Sequence, residues 1–361
     1  VKRTKNHRDV NIPVDMVFTY VNGKDPAHLR KRKHVEQFYK DDEIHLERME
    51  GKNFDILYNN VEEITFSVRT VLTYLPWIRK IFIITDQQLP PIEKDLLDSG
   101  RVQIVDHTDI LEKQYLPTFS CEVIESCLHR ISGLSEIFLY DNDDIMHFSP
   151  LSADAFLTVL DNGRIGLKLY AYPAVLRFFL YGMSRFLPSK WPVANSYTLN
   201  ISDSFLLLRK THNDIPWWKI IVPKHMTMIF RKSAAERLEN ELKDALHVFR
   251  QQPFRMRGTF SYSTLMYTME KHWHPYDTVQ STFLFDSSLD FQMFDFNRYS
   301  GDKSLEKLWR KVEASGVNFA CLNNIRENQC NRFVTAMQRK GLGCPLGSRP
   351  DDLPNTRSGH V

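Results

Sequence analysis

Short, mostly apolar runs punctuate the first 150 residues of this chain, and each gives way abruptly to polar residues. Val14 to Val21 (VDMVFTYV) is followed by Asn22-Gly23-Lys24-Asp25-Pro26, Lys80 to Thr85 (KIFIIT) by Asp86, Val102 to Val105 by Asp106-His107, and Ile137 to Tyr140 by Asp141. Runs of this length bounded by turn residues predict buried strands. Between them lie segments of helical character: a charged one from Ala27 to about Asp42, one from Glu62 to Leu75 with apolar Ile64, Phe66, Val68, Val71, Leu72 and Leu75, and one over 121–130. Strands alternating with helices predict a mostly parallel α/β sheet. Val17, Phe18, Phe82, Ile83, Ile84, Phe138 and Leu139 are its expected core. Later in the chain, Ser233 to Phe249 predicts one amphipathic helix capped by Ser233, and Phe260 to Lys271 and Ser304 to Ala314 predict two more. Residues 273–300 read as aromatic-rich strand or loop, and 43–60 as a polar connector. The expected organisation is an arm over 1–12, a single domain over 13–340 with halves 13–150 and 151–340, and a loose tail over 341–361.

The polar residues at the strand ends carry the candidate chemistry. Tyr140 is followed by Asp141-Asn142-Asp143-Asp144, three acids and an amide at the end of an apolar run. Parallel strands present such ends at one edge of the sheet, where ligands of open α/β folds bind. Clustered carboxylates repel one another and invite a hard cation; Mg²⁺ takes one or two carboxylates together with phosphate oxygens. The plain alternative is a polar turn leaving a buried strand. Asn22 and Asp25, and Asp86 and Gln88, reach the same edge in this reading. The convergence suits a nucleotide-sugar pocket. Asp15 stands inside a strand, where an unpaired carboxylate is costly; pairing with Arg69 or with backbone donors is expected.

Composition narrows the classes. The chain has 361 residues, 42% apolar and 25% charged, as in ordinary globular proteins. A net charge of +3 does not call for nucleic acid. Basic runs at 2–8 and 30–34 suit solvated faces, or a peripheral contact with anionic lipid. Five cysteines without metal-ligand spacing predict free thiols. No apolar run has the length of a membrane span; the nearest, Tyr170 to Leu187, is broken by Pro173, Arg177 and Arg185 and reads as core. The N-terminal residues are charged rather than signal-like. A cytoplasmic protein, free or peripheral at the inner face of the membrane, is the expectation.

The stretch Val14 to Pro26 resembles the first conserved region of the Stealth family, and Glu62 to Pro150 resembles the second almost throughout. The signatures stand as Glu62-Glu63-Ile64-Thr65-Phe66-Ser67-Val68-Arg69, Pro76-Trp77-Ile78-Arg79-Lys80-Ile81, Thr85-Asp86-Gln87-Gln88, Leu116-Pro117-Thr118-Phe119-Ser120, Ile124-Glu125-Ser126, His129-Arg130-Ile131 and Asn142-Asp143-Asp144. Many ordered matches are more specific than any single motif. Lys224-His225-Met226, Arg231-Lys232-Ser233 and Pro253-Phe254-Arg255 resemble the third region more weakly, and Cys321-Leu322-Asn323-Asn324 the fourth.

The resemblance implies a Rossmann-like, GT-A-type sheet with helices on both faces and a partly helical second half. It implies transfer of a hexose-1-phosphate, with N-acetylhexosamine-1-phosphate expected, from a UDP-sugar to an acceptor hydroxyl of a capsule, exopolysaccharide or surface glycan. Glu125, Asp144, His225 and Arg255 are the implied catalytic residues. Asp144, Asp143 and Asn142 would hold Mg²⁺ or Mn²⁺. Arg255 would stabilise the phosphoryl group, His225 would act as base or phosphoryl carrier, and Glu125 would orient the sugar or His225. Asp15, Tyr20, Asn22, Asp25, Arg69, Thr85, Gln88 and Ser120 are implied in substrate binding, and His107 and His129 are expected to be scaffold. Family members often carry acids where this chain has Gly258, Thr259 and Asn324. Two rival readings remain: a conventional UDP-sugar glycosyltransferase, and a glycan-binding module without turnover. Release of UMP, release of UDP, or no turnover separates the three.

Overall fold

The computed structural model describes residues 12–39, 61–160, 162–172, 196–255, 260–281, 291–296, 301–323, 325 and 327–342. The arm up to residue 11, most of the tail, the connector 43–60, the segment 173–187, the stretch Met256-Arg257-Gly258-Thr259 and Asn324 lie outside the described residues.

Along the chain, β1 (Val14–Thr19) leads to helix α1 (Pro26–Glu36), then α2 (Glu63–Tyr74), β2 (Ile81–Thr85), β3 (Val102–Asp106), the short α3 (Cys121–Glu125), β4 (Ile137–Asn142) and β5 (Ile145–His147). Further on come β6 (Leu157–Val159), β7 (Ile165–Tyr170), α4 (Ser196–Thr211), β8 (Met228–Arg231), α5 (Lys232–Glu241), α6 (Lys243–Arg250) and α7 (Tyr262–Trp273). The last are β9 (Val279–Ser281), β10 (Phe291–Asp295), α8 (Asp302–Ala314), β11 (Phe319–Asn323) and α9 (Cys330–Arg339).

The central sheet has the order β3-β2-β1-β4-β8. Its first four strands run parallel, and β8 runs antiparallel to β4. This is the mostly parallel α/β sheet that the alternation of patterns predicts. Val17, Phe18, Phe82, Ile83, Ile84, Phe138 and Leu139 are all buried in it. The chain goes from β1 outward to β2 and β3, then returns to place β4 on the other side. β1 and β4 therefore flank a switch point, whose carboxyl edge is the natural crevice for a ligand. Strand β8 comes from the second half of the chain, and β11 pairs with β5. The halves on either side of residue 150 thus share both of these sheets.

Three local readings are corrected. The helix expected over Ser233–Phe249 is two helices, α5 and α6, broken at Leu242, whose backbone (φ −112°, ψ 23°) leaves the helical region. Ser233 caps nothing; its hydroxyl donates to Glu136 Oε1 at 2.5 Å. The segment 121–130 is helical only over α3 and a short 3₁₀ turn at Leu128–Arg130. Between them Ser126 Oγ donates to the Val123 carbonyl (2.7 Å) and accepts from Arg250 Nε (3.0 Å). Helix α9 was not anticipated. Its Phe333, Ala336 and Met337 pack with Leu305, Leu308, Trp309 and Val312 of α8 in a second core under β10 and β11.

Asp15 pairs with Arg79, not Arg69. Arg79 donates Nε to Oδ1 (2.9 Å) and Nη2 to Oδ2 (2.6 Å), and the Ser135 amide donates to Oδ2 (2.7 Å). Arg69 instead donates to Glu93 (Nε to Oε1, 2.6 Å). Arg79 follows the turn into β2, beside β1, whereas Arg69 lies on α2 facing the Pro90–Glu93 loop. Arg79→Ala leaves the fully buried Asp15 carboxylate without its counter-ion. Such a loss costs about 3–5 kcal/mol. Urea unfolding is expected to show it, with Arg79→Lys intermediate.

Candidate active site

A cleft of about 330 Å³ opens at the carboxyl edge of the parallel strands. Each strand contributes the residues at its end: Thr19 closing β1 with Tyr20 and Val21 after it, Asp86 after β2, His107 after β3, and Asn142 closing β4 with Asp143 and Asp144 after it. Side chains alternate along β4. Tyr140 and Asn142 therefore share one face, and Asp141 takes the other. Asp141 is buried behind the cleft, accepting from His147 Nε2 (3.2 Å) and Thr227 Oγ1 (3.1 Å).

The direction of β8 brings His225 to the cleft. Because β8 is antiparallel to β4, Met228 at its start lies opposite Tyr140 near the end of β4. The loop just before β8 therefore reaches the same edge as the acids. A bridge between Ala171 and Pro223 and the Thr227–Asp141 bond tie this loop down. Arg255 arrives by another route. Phe254 is buried and stacks on Phe119, with ring centroids 5.2 Å apart, and the Phe119 amide donates to the Pro253 carbonyl at 2.7 Å. These contacts hold the end of the α6 loop against the cleft wall made by Thr118, Phe119, Ser120 and Cys121.

Arg255 Nη2 bonds Glu122 Oε1 at 2.6 Å and lies 3.0 Å from Cys121 Sγ. Glu122 and Glu125 stand three residues apart on α3, on one side of it. Their environments push them apart. Burial would raise Glu122, but the Arg255 charge and the Cys121 thiol hold it below the usual range. Burial and the charge of Glu122 raise Glu125 to about 8. At neutral pH, Glu122 is the anion that balances Arg255, and Glu125 is a neutral acid. Glu125 does not line the cleft; it sits behind the wall, 3.3 Å from the Tyr140 hydroxyl, which is 3.1 Å from Asn142 Oδ1. Glu125 reaches the cleft through Tyr140 and Asn142 and through its electrostatic coupling to Glu122.

Burial, reinforced by the Arg255 charge and opposed by Asp144, lowers His225 below the ordinary imidazole value. It is thus a neutral imidazole able to accept a proton. Asp144 is half-buried rather than exposed. Its Oδ2 accepts from the Cys321 thiol (3.1 Å), and its Oδ1 is buried with no hydrogen-bond partner among the described residues. Burial, with the charges of Glu63 and Asp144, keeps the Asp143 carboxyl well above its usual range. Burial likewise raises Glu63 to about 7. This like-charge crowding is what a cation relieves. Among the described residues, no group of three or more His, Cys, Asp or Glu could hold a metal by itself. Mg²⁺ in general binds through one or two carboxylates completed by substrate oxygens, and the unpartnered Asp144 Oδ1 is a donor of that kind.

Several residues implied in substrate binding are engaged in the scaffold and do not line the cleft. Asn22 and Gln88 bond each other, the Asn22 amide donating to Gln88 Oε1 (2.8 Å) and Gln88 Nε2 to the Asn22 carbonyl (2.9 Å). Thr85 is buried beneath them. Asp25 caps α1, accepting from the Ala27 and His28 amides. Asp15 and Arg69 are held by Arg79 and Glu93. Tyr20 and Ser120 do line the cleft. So does His107, expected as scaffold; burial lowers it to about 4, and it is uncharged at neutral pH. His129 lies outside the cleft, bonded to Glu239. Sequence reasoning missed Glu122, Cys121, His28 and Cys321. Glu122 left a signal, three residues before Glu125 on the same helical face, and Cys321 stood in the stretch resembling the fourth region.

Residues 57–164 match the family model described as Stealth protein CR2, conserved region 2. Capsular polysaccharide phosphotransferase LcbA of Aeromonas hydrophila is 37% identical over 148 residues, 41% of this chain and 39% of that protein. Capsular polysaccharide phosphotransferase fcs1 of Haemophilus influenzae is 40% identical over 151 residues, 40% of this chain and 38% of that protein. A longer match, at 28% identity, covers 89% of this chain and 53% of exopolysaccharide phosphotransferase CpsY of Mycobacterium leprae (strain TN). This chain thus matches about half or less of each of these relatives' own length. Among solved structures, galactosyltransferase LgtC in complex with donor and acceptor sugar analogues aligns over 91% of this chain and 95% of that one, with 8% identity and a TM-score of 0.41, too slight a likeness to bear on function. Among the described residues, no helix is long and apolar enough to cross a membrane. With Asn142-Asp143-Asp144 at the cleft and the matched region running through β2, β3 and β4, the chain carries conserved region 2 of the Stealth proteins.

Proposed function

We propose that this chain transfers a hexose-1-phosphate, N-acetylhexosamine-1-phosphate above all, from a UDP-sugar to a glycan hydroxyl. The product is a phosphodiester within a capsule, exopolysaccharide or surface glycan. One observation supports this most: Asp144, His225 and Arg255, from three separate segments, line one cleft. The relatives named as capsular and exopolysaccharide phosphotransferases point the same way.

In the proposed reaction the acceptor oxygen attacks the phosphorus next to the sugar. The bond from that phosphorus to the oxygen bridging the two phosphates breaks, and UMP leaves. His225, a neutral imidazole, takes the acceptor proton. Arg255 sets its planar fork against the phosphoryl oxygens as negative charge builds there. Glu122 holds that guanidinium in place. Asp144 and Asp143, with Asn142, are the residues that would hold Mg²⁺ or Mn²⁺, which when bound supplies charge neutralisation at the diphosphate. Cytoplasmic operation beside a membrane-borne acceptor is part of the same proposal.

The test is to incubate the protein with UDP-sugars, Mg²⁺ and candidate acceptors and to identify the nucleotide released. UMP supports phosphotransfer; UDP makes the chain a conventional glycosyltransferase; neither makes it a binding module. His225→Ala is expected to abolish transfer while leaving UDP-sugar affinity by calorimetry nearly unchanged, since a base acts in the reaction more than in ground-state binding. Asp144→Ala is expected to abolish turnover and weaken donor binding together. Full transfer by His225→Ala would make His225 structural.

A further inference from the structure

Cys321 comes from the far end of the chain. It pairs with Ile145 where β11 runs antiparallel to β5, and the Leu322 amide donates to the Asp144 carbonyl at 2.9 Å. This register sets the thiol against the Asp144 side chain. Sγ lies 3.1 Å from Asp144 Oδ2 and 3.8 Å from His225 Nε2. The residue is fully buried. A thiol has one proton to donate, and an ionised carboxylate only accepts. The thiol is placed to donate to Asp144, with its sulfur facing the His225 ring.

We propose that Cys321 is a positioning residue that holds Asp144 in one rotamer and spaces its carboxylate from His225. The role rests on the transferase reading above. Without the thiol between them, the carboxylate and the imidazole would be free to bond each other directly. Such a pair would occupy the base and half of the carboxylate at once. Sulfur suits the task on two counts. It is large enough to keep the partners apart, and it is a weak donor that orients the carboxylate without drawing off much of its charge. The register between β5 and β11 makes the placement independent of loop motion.

The test compares Cys321→Ala, which removes bulk and donor, Cys321→Val, which keeps bulk alone, and Cys321→Ser, which keeps the donor. UMP release from a UDP-sugar with Mg²⁺ is measured, with KM for the donor. The state of His225 is read separately from ¹⁵N-histidine spectra of the free protein, assigned with His225→Gln. The expected result is a kcat lowered on the order of ten- to a hundredfold in the Ala and Val variants with KM nearly unchanged, as for a small misplacement of reacting groups. Cys321→Ser is expected to keep most of the rate, and the His225 signals to move in the Ala variant but not in Val or Ser. Unmoved signals, an undiminished kcat in Cys321→Ala, or a Ser variant as poor as Ala would overturn the proposal. If the wild-type chain releases no UMP but the His225 signals move as expected, the transferase reading fails and the spacing role stands. Thermal unfolding of each variant guards against misfolding, because the Ser variant keeps the contact to Asp144.

Discussion

Transfer of sugar phosphate is expected to fall on the order of a thousandfold or more in Arg255→Ala, the size of loss seen when an arginine that stabilises a phosphoryl group is removed. The same substitution is expected to destabilise the fold. Glu122 is buried and pairs with Arg255 at 2.6 Å. Removing one member of such a pair leaves an uncompensated charge, at about 3 kcal/mol or more. The two effects can be separated. Arg255→Lys keeps a charge opposite Glu122 and should recover most of the stability, but not the planar fork, so transfer stays low. Glu122→Gln placed on Arg255→Ala should restore stability without activity. The pH dependence has a definite sign. With Arg255 gone, burial raises the Glu122 carboxyl, so the deficit should be greatest near neutral pH and shrink as acid protonates Glu122. Urea unfolding at several pH values and a UMP-release assay check both halves. A stable Arg255→Ala variant with full transfer would remove Arg255 from the site.

Glu239→Ala is expected to be as destabilising as Arg79→Ala, again by about 3–5 kcal/mol, because Glu239 is the shared acceptor of a partly buried network. His129 Nε2 bonds Glu239 at 2.5 Å and Arg250 Nη1 at 2.6 Å, and Arg130 Nη2 bonds it too. Arg250 in turn bonds Ser126 through its side chain and carbonyl (3.0 and 2.7 Å). The network fastens α5 and α6 to the segment just after α3, which carries Glu122 and Glu125. Burial opposes ionisation of Glu239, but the bonds from His129, Arg130 and Arg250 outweigh it and depress its folded-state value below the ordinary 4.5. The stability it contributes is therefore fully present above about pH 4.5 and is lost as the pH falls below that value. Glu125 works in the opposite sense. Its folded value is raised to about 8, so the folded state holds its proton between pH 4.5 and 8, and stability declines as the pH rises through that window. Thermal unfolding from pH 3 to 9 should show the wild type weakening at both ends. Glu239→Ala should shrink the acid limb selectively, and Glu125→Gln the alkaline one, to which the buried Glu63 and Asp143 also contribute. An unchanged acid limb in Glu239→Ala would refute the assignment.

The strands were legible because each is a short apolar run closed by turn residues, and burial on both faces demands such runs. Even their ends carried information, since Asn142, Asp143 and Asp144 follow a strand whose parallel neighbours must share its carboxyl edge. Partnerships were less legible. Asp15 was seen to need a partner, yet Arg79 rather than Arg69 supplies it, because which cation reaches a buried acid depends on how β1 and β2 lie side by side. Glu125 was drawn into the cleft by its motif. The structure sets it behind the wall, with Glu122 taking Arg255. Neither charge state could be assigned without knowing which of the two carboxylates meets the guanidinium.

By itself, then, the amino-acid sequence determined the parallel core, the edge at which its acids collect and the kinship of its central region, because these depend on local pattern and order along the chain. Only the tertiary structure decided which distant groups meet there. His225 reaches Asp144 because β8 runs antiparallel to β4, Arg255 because Phe254 stacks on Phe119, and Cys321 because β11 pairs with β5 in one register. Strand direction, ring stacking and register are properties of packed elements, and no local pattern of side chains encodes them.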